Sequence, residues 1–293
     1  RAIRDQKIQA LAQQNAQAIE SNAQIRAVTA TSRFGYRLAE YQDKNGTCIV
    51  RLNNQNVPEP LESNISNVAF RSSSPCLAPD GETIYFTRPE KNEQGIAEYK
   101  IFTARITATG EVVGIQKLSS GVNRSGYSSL HPAIGFTADG QEVLYFTSTM
   151  PGGNGGFDIW YATRIRNNEF TQAYHTGMRI NSPSDEITPH YYQAAGELYF
   201  SSNRPEGYGN FDVYKLTGDY RKWEEATAVL LPTPINSEGD DYFYRQDAAT
   251  NQTYLTTNRF DGKTDQTVQF RQLMRAQLHT AKNDDGDNKR YTR

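Results

Sequence analysis

Residues 198–214 read LYFSSNRPEGYGNFDVY, and this stretch decides the fold because it recurs along the chain. A second copy, LYFTSTMPGGNGGFDIWY, occupies residues 144–161, and shorter counterparts begin at Ile84 and Tyr254. Each copy starts with an apolar run containing tyrosine, and the two long copies continue through a glycine-rich loop into a second run that opens on Phe-Asp. Short apolar runs bounded by turn residues predict buried β-strands.

Other landmarks keep the same interval. Pro75, Pro132 and Pro189 are 57 residues apart, and Asn203-Arg204 returns 55 residues later as Asn258-Arg259. Four apolar positions in the connecting segments are spaced by 57, 58 and 55 residues, namely Ile65, Val122, Ile180 and Ile235. A unit of this length holds one four-stranded sheet, which cannot bury both faces alone but can do so when units stack in a ring. The sequence therefore predicts an all-β propeller of four-stranded antiparallel blades.

The blade number stays open between four, five and six, and five is favoured. Repeat units are recognised at residues 67–122, 123–180, 181–235 and, in shorter form, 236–280. A hairpin within 33–52 falls where the outer strands of a further blade belong, or it closes the fourth unit. We expect the propeller to span 33–280. The Ala- and Gln-rich residues 1–32 predict a short N-terminal helix or helical linker, and the polar residues 281–293 predict a disordered tail.

Composition limits the classes of partner. The net charge of −2 predicts no binding to nucleic acid, and no apolar run is long enough to span a membrane. The glycine-rich loops lack the Lys-Ser/Thr of a phosphate-binding loop, and we predict no cofactor. Two cysteines, Cys48 and Cys76, leave two alternatives, a disulfide between the first strands and the first full repeat or two buried free thiols.

Repeated carboxylates and loop tyrosines are the candidate site residues. Asp158 and Asp212 follow the glycine-rich loops at equivalent positions, and we expect them to accept backbone N–H bonds, as structural repeat positions like the three prolines. Two acidic pairs also recur and could offer oxygen ligands to a hard cation, but no complete ligand loop is present and we predict no metal. Together with nearby aromatic residues the pairs predict a partner-binding rim: Asp185, Glu186, Tyr191, Tyr192, Tyr208, Asp240, Asp241 and Tyr242.

The repeat resembles the Pro-Asp relatives of WD-type repeats found in the periplasmic propeller of the Tol system. It is most similar to propeller domains of Bacteroidota envelope proteins that carry an OmpA-like domain, such as the type IX secretion component PorE. The residues that carry the resemblance are 180–186, 198–205 and 207–214. The resemblance implies a periplasmic, outer-membrane-associated location and other envelope or secretion proteins as partners. These 293 residues include no OmpA-like segment, so it implies peptidoglycan contact only through domains outside them.

Catalytic motifs are missing beside the complete repeats. No Gly-x-Ser-x-Gly elbow is present, and the four histidines lack the spacing of metal ligands. We therefore expect no enzymatic activity. The expected role is a protein-interaction or scaffold module of a bacterial envelope assembly, with type IX secretion as one candidate assembly. The alternatives are a carbohydrate-active propeller enzyme, which needs two or three carboxylates converging at one end of the central channel, and a Tol-like partner-binding propeller.

Overall fold

The computed structural model describes residues 17–18, 24–221, 223 and 226–271. They form a five-bladed β-propeller of antiparallel sheets. The strands are β1 (Gln17–Ala18), β2 (Ile25–Arg26), β3 (Arg37–Asp43), β4 (Gly46–Leu52), β5 (Pro58–Pro60), β6 (Ser73–Leu77), β7 (Thr83–Lys91), β8 (Ala97–Ile106), β9 (Val112–Lys117), β10 (Ser129–Phe136), β11 (Glu142–Ser148), β12 (Asp158–Arg166), β13 (Glu169–Phe170), β14 (Tyr174–His175), β15 (Glu186–Tyr192), β16 (Glu197–Ser202), β17 (Asp212–Thr217), β18 (Val229–Leu230), β19 (Asp241–Asp247), β20 (Gln252–Thr257) and β21 (Gln266–Arg271). Two 3-10 helices, Asn64–Ser66 and Val68–Phe70, follow β5.

Each blade is one sheet, numbered here in chain order. Blade 1 contains β2–β5, blade 2 β6–β9, blade 3 β10–β14 and blade 4 β15–β18. Blade 5 contains β19, β20 and β21, and β1 pairs antiparallel with β21 as its fourth strand. In blade 3 the outer position is divided between β13 and β14, which both pair with β12.

The apolar runs form the second strand of each repeat because that strand is covered on both faces. Val143, Leu144, Tyr145 and Phe146 of β11 are all at most 1% exposed, so both alternating sets of side chains are buried. One set packs against the preceding blade and the other against the following blade. Five apolar clusters fill the five junctions between neighbouring blades in this way, which explains why the runs are continuously apolar instead of alternating.

The prediction of an N-terminal helix is wrong for the part of residues 1–32 that the structure describes. Gln17–Ala18 and Ile25–Arg26 are strands, the first at the outer edge of blade 5 and the second at the inner edge of blade 1. Pairing with an otherwise open sheet edge overrides the helical preference of an Ala- and Gln-rich segment. The remainder of the predicted linker and the predicted tail at 281–293 lie outside the described residues.

The hairpin predicted within 33–52 forms, but its place differs from the expected one. Its strands β3 and β4 are the two middle strands of blade 1, since β2 pairs with β3 and β5 pairs with β4. The inner and outer strands were missed because they are only two and three residues long. Strands this short carry no readable alternation of apolar and polar residues.

The inner strands of blades 2 to 5 each contain one residue in the left-handed region at the same repeat position, and in blade 1 the equivalent residue directly follows β2. These residues are Ala27, Ser74, His131, Thr188 and Phe243, with φ between +48° and +53°. In blades 2 to 5 the pairing register shifts at this point, which marks a β-bulge. The repeat prolines Pro75, Pro132 and Pro189 each follow the bulge residue directly, where a missing N–H is tolerated.

A belt of hydrogen bonds joins the bulges around the ring. The N–H of each bulge residue is bound by a side chain of the preceding blade. The pairs are Ser74 with Glu40 Oε2 (3.0 Å), His131 with Thr87 Oγ1 (3.2 Å), Thr188 with His131 Nδ1 (3.4 Å), Phe243 with Thr188 Oγ1 (3.3 Å) and Ala27 with Thr256 Oγ1 (3.2 Å). The last pair joins blade 5 to blade 1 and closes the ring.

The two cysteines are free thiols, so the disulfide alternative is wrong. Cys48 lies in the apolar cluster between blades 5 and 1, whereas Cys76 lies in the cluster between blades 2 and 3. The two thiols face different blade junctions, so their closeness along the chain does not bring them together. In the described part of the chain no helix has the length and hydropathy to cross a membrane.

Candidate functional site

The second residue of each acidic pair is buried. Glu186 and Asp241 are 0% exposed at the start of the inner strands of blades 4 and 5. Glu186 accepts the Ser182 N–H (2.8 Å) and is ion-paired with Arg204 (3.2 Å). Burial raises the pKa of both carboxyls above the ordinary value, although an arginine faces each of them. The expectation that these two residues project from a partner-binding rim is wrong.

The first residue of each pair connects neighbouring blades. Asp185 Oδ1 accepts the Phe157 N–H (2.8 Å), and Asp240 Oδ1 accepts the Phe211 N–H (3.2 Å). In both cases the carboxylate holds the loop before the third strand of the preceding blade. These repeated carboxylates are therefore engaged in contacts within the fold.

The glycine-rich loops are tied down by the carboxylates that follow them. Asp158 Oδ1 accepts the Asn154 N–H (3.0 Å), and Asp212 Oδ2 accepts the N–H groups of Tyr208 (2.8 Å) and Gly209 (2.9 Å). A Cβ on Gly209 would lie 2.0 Å from the Gly239 carbonyl oxygen, so the loop needs glycine to approach the next blade. These contacts match the structural role expected of Asp158 and Asp212.

The four candidate tyrosines are dispersed. Tyr191 is buried against Tyr145 between blades 3 and 4, with ring centroids 5.5 Å apart, and Tyr192 belongs to the cluster between blades 4 and 5. Tyr208 is 49% exposed on its loop. Tyr242 is partly exposed on the inner strand of blade 5. The structure therefore does not bring the predicted rim residues together as one surface.

A different group of polar residues meets at one end of the central channel. Arg26 and Tyr242 occupy the same repeat position on the inner strands of blades 1 and 5, one residue before the bulge. Asp265, directly before β21, is ion-paired with Arg26 at 3.0 Å, and burial together with the nearby Asp265 carboxylate raises the pKa of Tyr242. We call this end of the channel, lined by Arg26, Glu40, Tyr242 and Asp265, the channel mouth.

Glu40 adds a second carboxylate to the mouth. It lies directly opposite Arg26 in the pairing of β2 with β3, so the two side chains share one face of blade 1. The side chain is 7% exposed, and its Oε2 accepts the Ser74 N–H. Burial raises the pKa of Glu40, against the lowering effects of the Ser74 N–H and of Arg26, and the charge of Asp265 raises it further.

Bulge residues of three blades meet just inside the mouth. The rings of His131 and Phe243 meet edge to face with centroids 5.3 Å apart, although they belong to the non-adjacent blades 3 and 5. Thr188 of blade 4 is hydrogen-bonded to both bulge residues. These contacts form a floor beneath the mouth, above which a buried carboxyl of raised pKa and an ion-paired carboxylate are held near one cation. Such a pair can act in general acid and base chemistry.

Sequence analysis missed Arg26, Glu40 and Asp265. Arg26 and Glu40 belong to blade 1, whose sequence has diverged so far from the repeat that its inner strand was assigned to a helical linker. Asp265 follows the last recognised motif in a loop without a repeated landmark. The signal that could have identified Glu40 was the alignment of the five repeats. In that alignment Glu40 occupies the position held in the other blades by Thr87, Thr147, Ser201 and Thr256. Among the residues that the structure describes, no three His, Cys, Asp or Glu are grouped so as to hold a metal ion.

Known structures with a similar fold include several enzymes. A GH43_1 enzyme from Xanthomonas citri has a TM-score of 0.57 at 12% identity, covering 89% of this chain and 92% of that one. An α-L-arabinofuranosidase from Lactobacillus brevis has a TM-score of 0.55 at 12% identity, covering 88% and 93%. A Dyadobacter fermentans protein of unknown function has a TM-score of 0.53 at 11% identity, covering 83% and 75%. The shared feature is the fold. No family model and no curated protein matches the chain.

These neighbours correct two expectations, that the chain is a non-enzymatic scaffold module and that it is not an enzyme. Both were drawn from absent catalytic motifs, yet proteins described as an α-L-arabinofuranosidase and a family-43 glycoside hydrolase share this fold. Glycoside hydrolysis needs two carboxyl groups that meet in space, which no linear motif has to encode. The absence of a motif therefore excludes nothing in this fold. The resemblance to envelope propellers, and the partners and periplasmic location that it implies, stay predictions.

Proposed function

We propose that the chain is a carbohydrate-active enzyme that cleaves glycosidic bonds at the channel mouth. The observation that carries the proposal is the pair of carboxyl groups, Glu40 and Asp265, held in unlike surroundings at one end of the channel. Glycoside hydrolysis needs two such groups, one protonated and one ionised. Support for the substrate class comes from structural neighbours described as β-xylosidases and α-arabinofuranosidases, so we propose xylosides or arabinofuranosides.

The two carboxyl groups take different roles because their surroundings differ. Glu40, whose pKa is raised by burial, is the general acid that gives its proton to the glycosidic oxygen as the C–O bond breaks. Asp265, ion-paired with Arg26, is the carboxylate that either attacks the anomeric carbon or removes a proton from the attacking water. The anomeric configuration of the first product, read by NMR, distinguishes attack with retention from attack with inversion.

The test compares the wild-type chain with Glu40→Gln on xylo- and arabino-oligosaccharides and on nitrophenyl glycosides. Glutamine keeps an oxygen that can accept the Ser74 N–H, so the blade junction is preserved. Loss of the acid should lower kcat on oligosaccharides by about 10²–10⁴. Nitrophenolate leaves without protonation, so the loss on nitrophenyl glycosides should be much smaller. A merely structural role for Glu40 would reduce both activities equally.

Two further variants complete the design. Asp265→Asn should reduce turnover of both substrate types, because every leaving group needs the second carboxylate. Glu169→Gln, at a half-exposed position on the outer strand of blade 3, is the matched control and should leave activity unchanged. The proposal is overturned if no glycoside is hydrolysed, or if Glu40→Gln is as active as the wild-type chain on oligosaccharides.

From the repeat resemblance we also propose that this activity resides in the periplasm, in contact with other envelope proteins. Fractionation of cells that express the full gene product tests this part separately, because a cytoplasmic location would refute it without affecting the chemistry of the mouth.

A further inference from the structure

Arg245 lies in the central channel, on the inner strand of blade 5 and two residues beyond the bulge. It is 4% exposed. The equivalent positions of the other inner strands hold small or neutral side chains: Thr29, Cys76, Ala133 and His190. The channel therefore contains one arginine at this level, below the floor formed by His131 and Phe243.

The guanidinium of Arg245 lacks the carboxylate partner that Arg204 and Arg259 have, and it also lacks the side-chain acceptors that the buried Arg88 has. Arg204 and Arg259 are ion-paired with Glu186 and Asp241, which are fully buried. For Arg245 the described part of the chain supplies no carboxylate within salt-bridge distance, and its one side-chain hydrogen bond runs from Nη1 to the Tyr244 carbonyl oxygen (3.1 Å). A buried cation with one neutral acceptor is costly unless an anion compensates it.

The groups that surround Arg245 are neutral or offer hydrogen-bond donors. Burial, with Arg245 adding to it, lowers the pKa of His131 to about 3 and that of His190 well below its ordinary value, so both imidazoles are uncharged. Nδ1 of His131 accepts the Thr188 N–H and Nε2 of His190 accepts the Gln246 N–H, which leaves one ring N–H on each as a donor. Burial also raises the pKa of the Cys76 thiol, so Cys76 is not a thiolate partner.

We propose that the centre of the channel binds a small monovalent anion on Arg245, with the N–H groups of His131 and His190 as neutral donors. Halide, nitrate and a small carboxylate such as acetate share this chemistry. The His131–Phe243 contact separates the site from the mouth, which favours a small ion over an oligosaccharide or a phosphate ester. This site is independent of the proposed catalytic pair, since its residues lie beyond the floor of the mouth.

The test measures Tm against concentration of chloride, bromide, nitrate and acetate, at ionic strength held constant with sulfate. A ligand that binds only the folded chain raises Tm with the logarithm of its concentration, by about 5–10 °C at one hundred times its Kd for a domain of this size. The rank order of the four salts identifies whether a halide or a carboxylate is the occupant. Arg245→Met should abolish the anion-specific rise, whereas the control Arg105→Met, at a side chain that is 64% exposed, should retain it.

Bromide gives a second measurement that needs no variant. An anomalous peak beside Arg245 in crystals of the wild-type chain grown with bromide would support the site. The proposal is overturned if the four anions shift Tm no more than sulfate does and no anomalous peak lies at Arg245. It is also overturned if Arg245→Met raises Tm and leaves the response to anions unchanged, because Arg245 would then be an uncompensated charge and not a binding group.

Discussion

Replacing Asp241 by alanine should reveal how strongly the repeated acidic positions hold the ring. Asp241 is 0% exposed, and Arg259 donates to its Oδ1 from Nη2 at 2.7 Å. Its Oδ2 accepts the N–H and the hydroxyl of Ser237 (2.6 and 2.8 Å). The substitution thus removes the counter-ion of a buried guanidinium and leaves a buried N–H without its acceptor.

The expected cost follows from these contacts. Removing one member of a buried ion pair costs about 3–5 kcal/mol, mainly because the remaining charge stays buried. The carbonyl oxygens of Pro234 and Ile235 still accept from Arg259, which favours the lower half of that range. With about 2–4 °C per kcal/mol for a chain of this size, Tm should fall by about 6–16 °C.

Thermal unfolding by circular dichroism and urea titration measure this cost. The urea midpoint should fall while the m-value stays constant, because the folded state remains as compact as before. Glu169→Ala breaks an ion pair on the exposed outer edge of blade 3 and should change Tm little. If Asp241→Ala is as stable as Glu169→Ala, Asp241 does not stabilise the fold, and a role in partner binding becomes the better interpretation of the repeated acidic position.

Two further predictions concern the channel and the glycine-rich loops. The folded-state pKa values of His131 and His190 lie below the value in the unfolded chain. The stability that these neutral histidines contribute is therefore complete above pH 6.5 and is lost as the pH falls below it. The free energy of unfolding should fall by about 1.4 kcal/mol per pH unit for each histidine. His131→Asn should therefore lose less stability than the wild-type chain between pH 7 and pH 5 in urea titrations, and parallel curves would contradict this. Gly209→Ala places a Cβ 2.0 Å from the Gly239 carbonyl oxygen, whereas Gly140→Ala meets only the strain of a positive φ. The first substitution should therefore lower the free energy of unfolding more than the second. Equal urea midpoints for the two variants would refute the close approach.

The repeat could be predicted from the sequence because its physical cause is local. The run at 198–200 is apolar at every position since both faces of its strand are covered by neighbouring blades, and Asp212 recurs since each glycine-rich loop needs the same acceptor. The two-residue strand β1 could not be predicted. Its conformation depends on pairing with β21, some 250 residues further along the chain, and the local composition favours a helix.

The rim was predicted incorrectly for an instructive reason. Acidic pairs repeated at 185–186 and 240–241 suggested a displayed surface, yet repetition at equivalent positions is what a contact needed in every blade produces. Both pairs bind backbone N–H groups or arginines of the same or the preceding blade. A repeated polar residue in a propeller is therefore first a candidate for blade assembly.

The candidate sites are identified by residues that differ between blades, not by residues that repeat. Functional groups in a ring of similar blades must differ between blades, because a ligand in the channel meets each blade only once. Glu40 stands where the other blades have threonine or serine, and Arg245 stands where they have a hydroxyl, a thiol, a methyl or an imidazole. Each departure leaves a buried ionisable group beside the channel, at a cost in stability that the repeat residue would avoid. These two departures from the repeat are thus the positions at which catalysis and anion binding should first be tested.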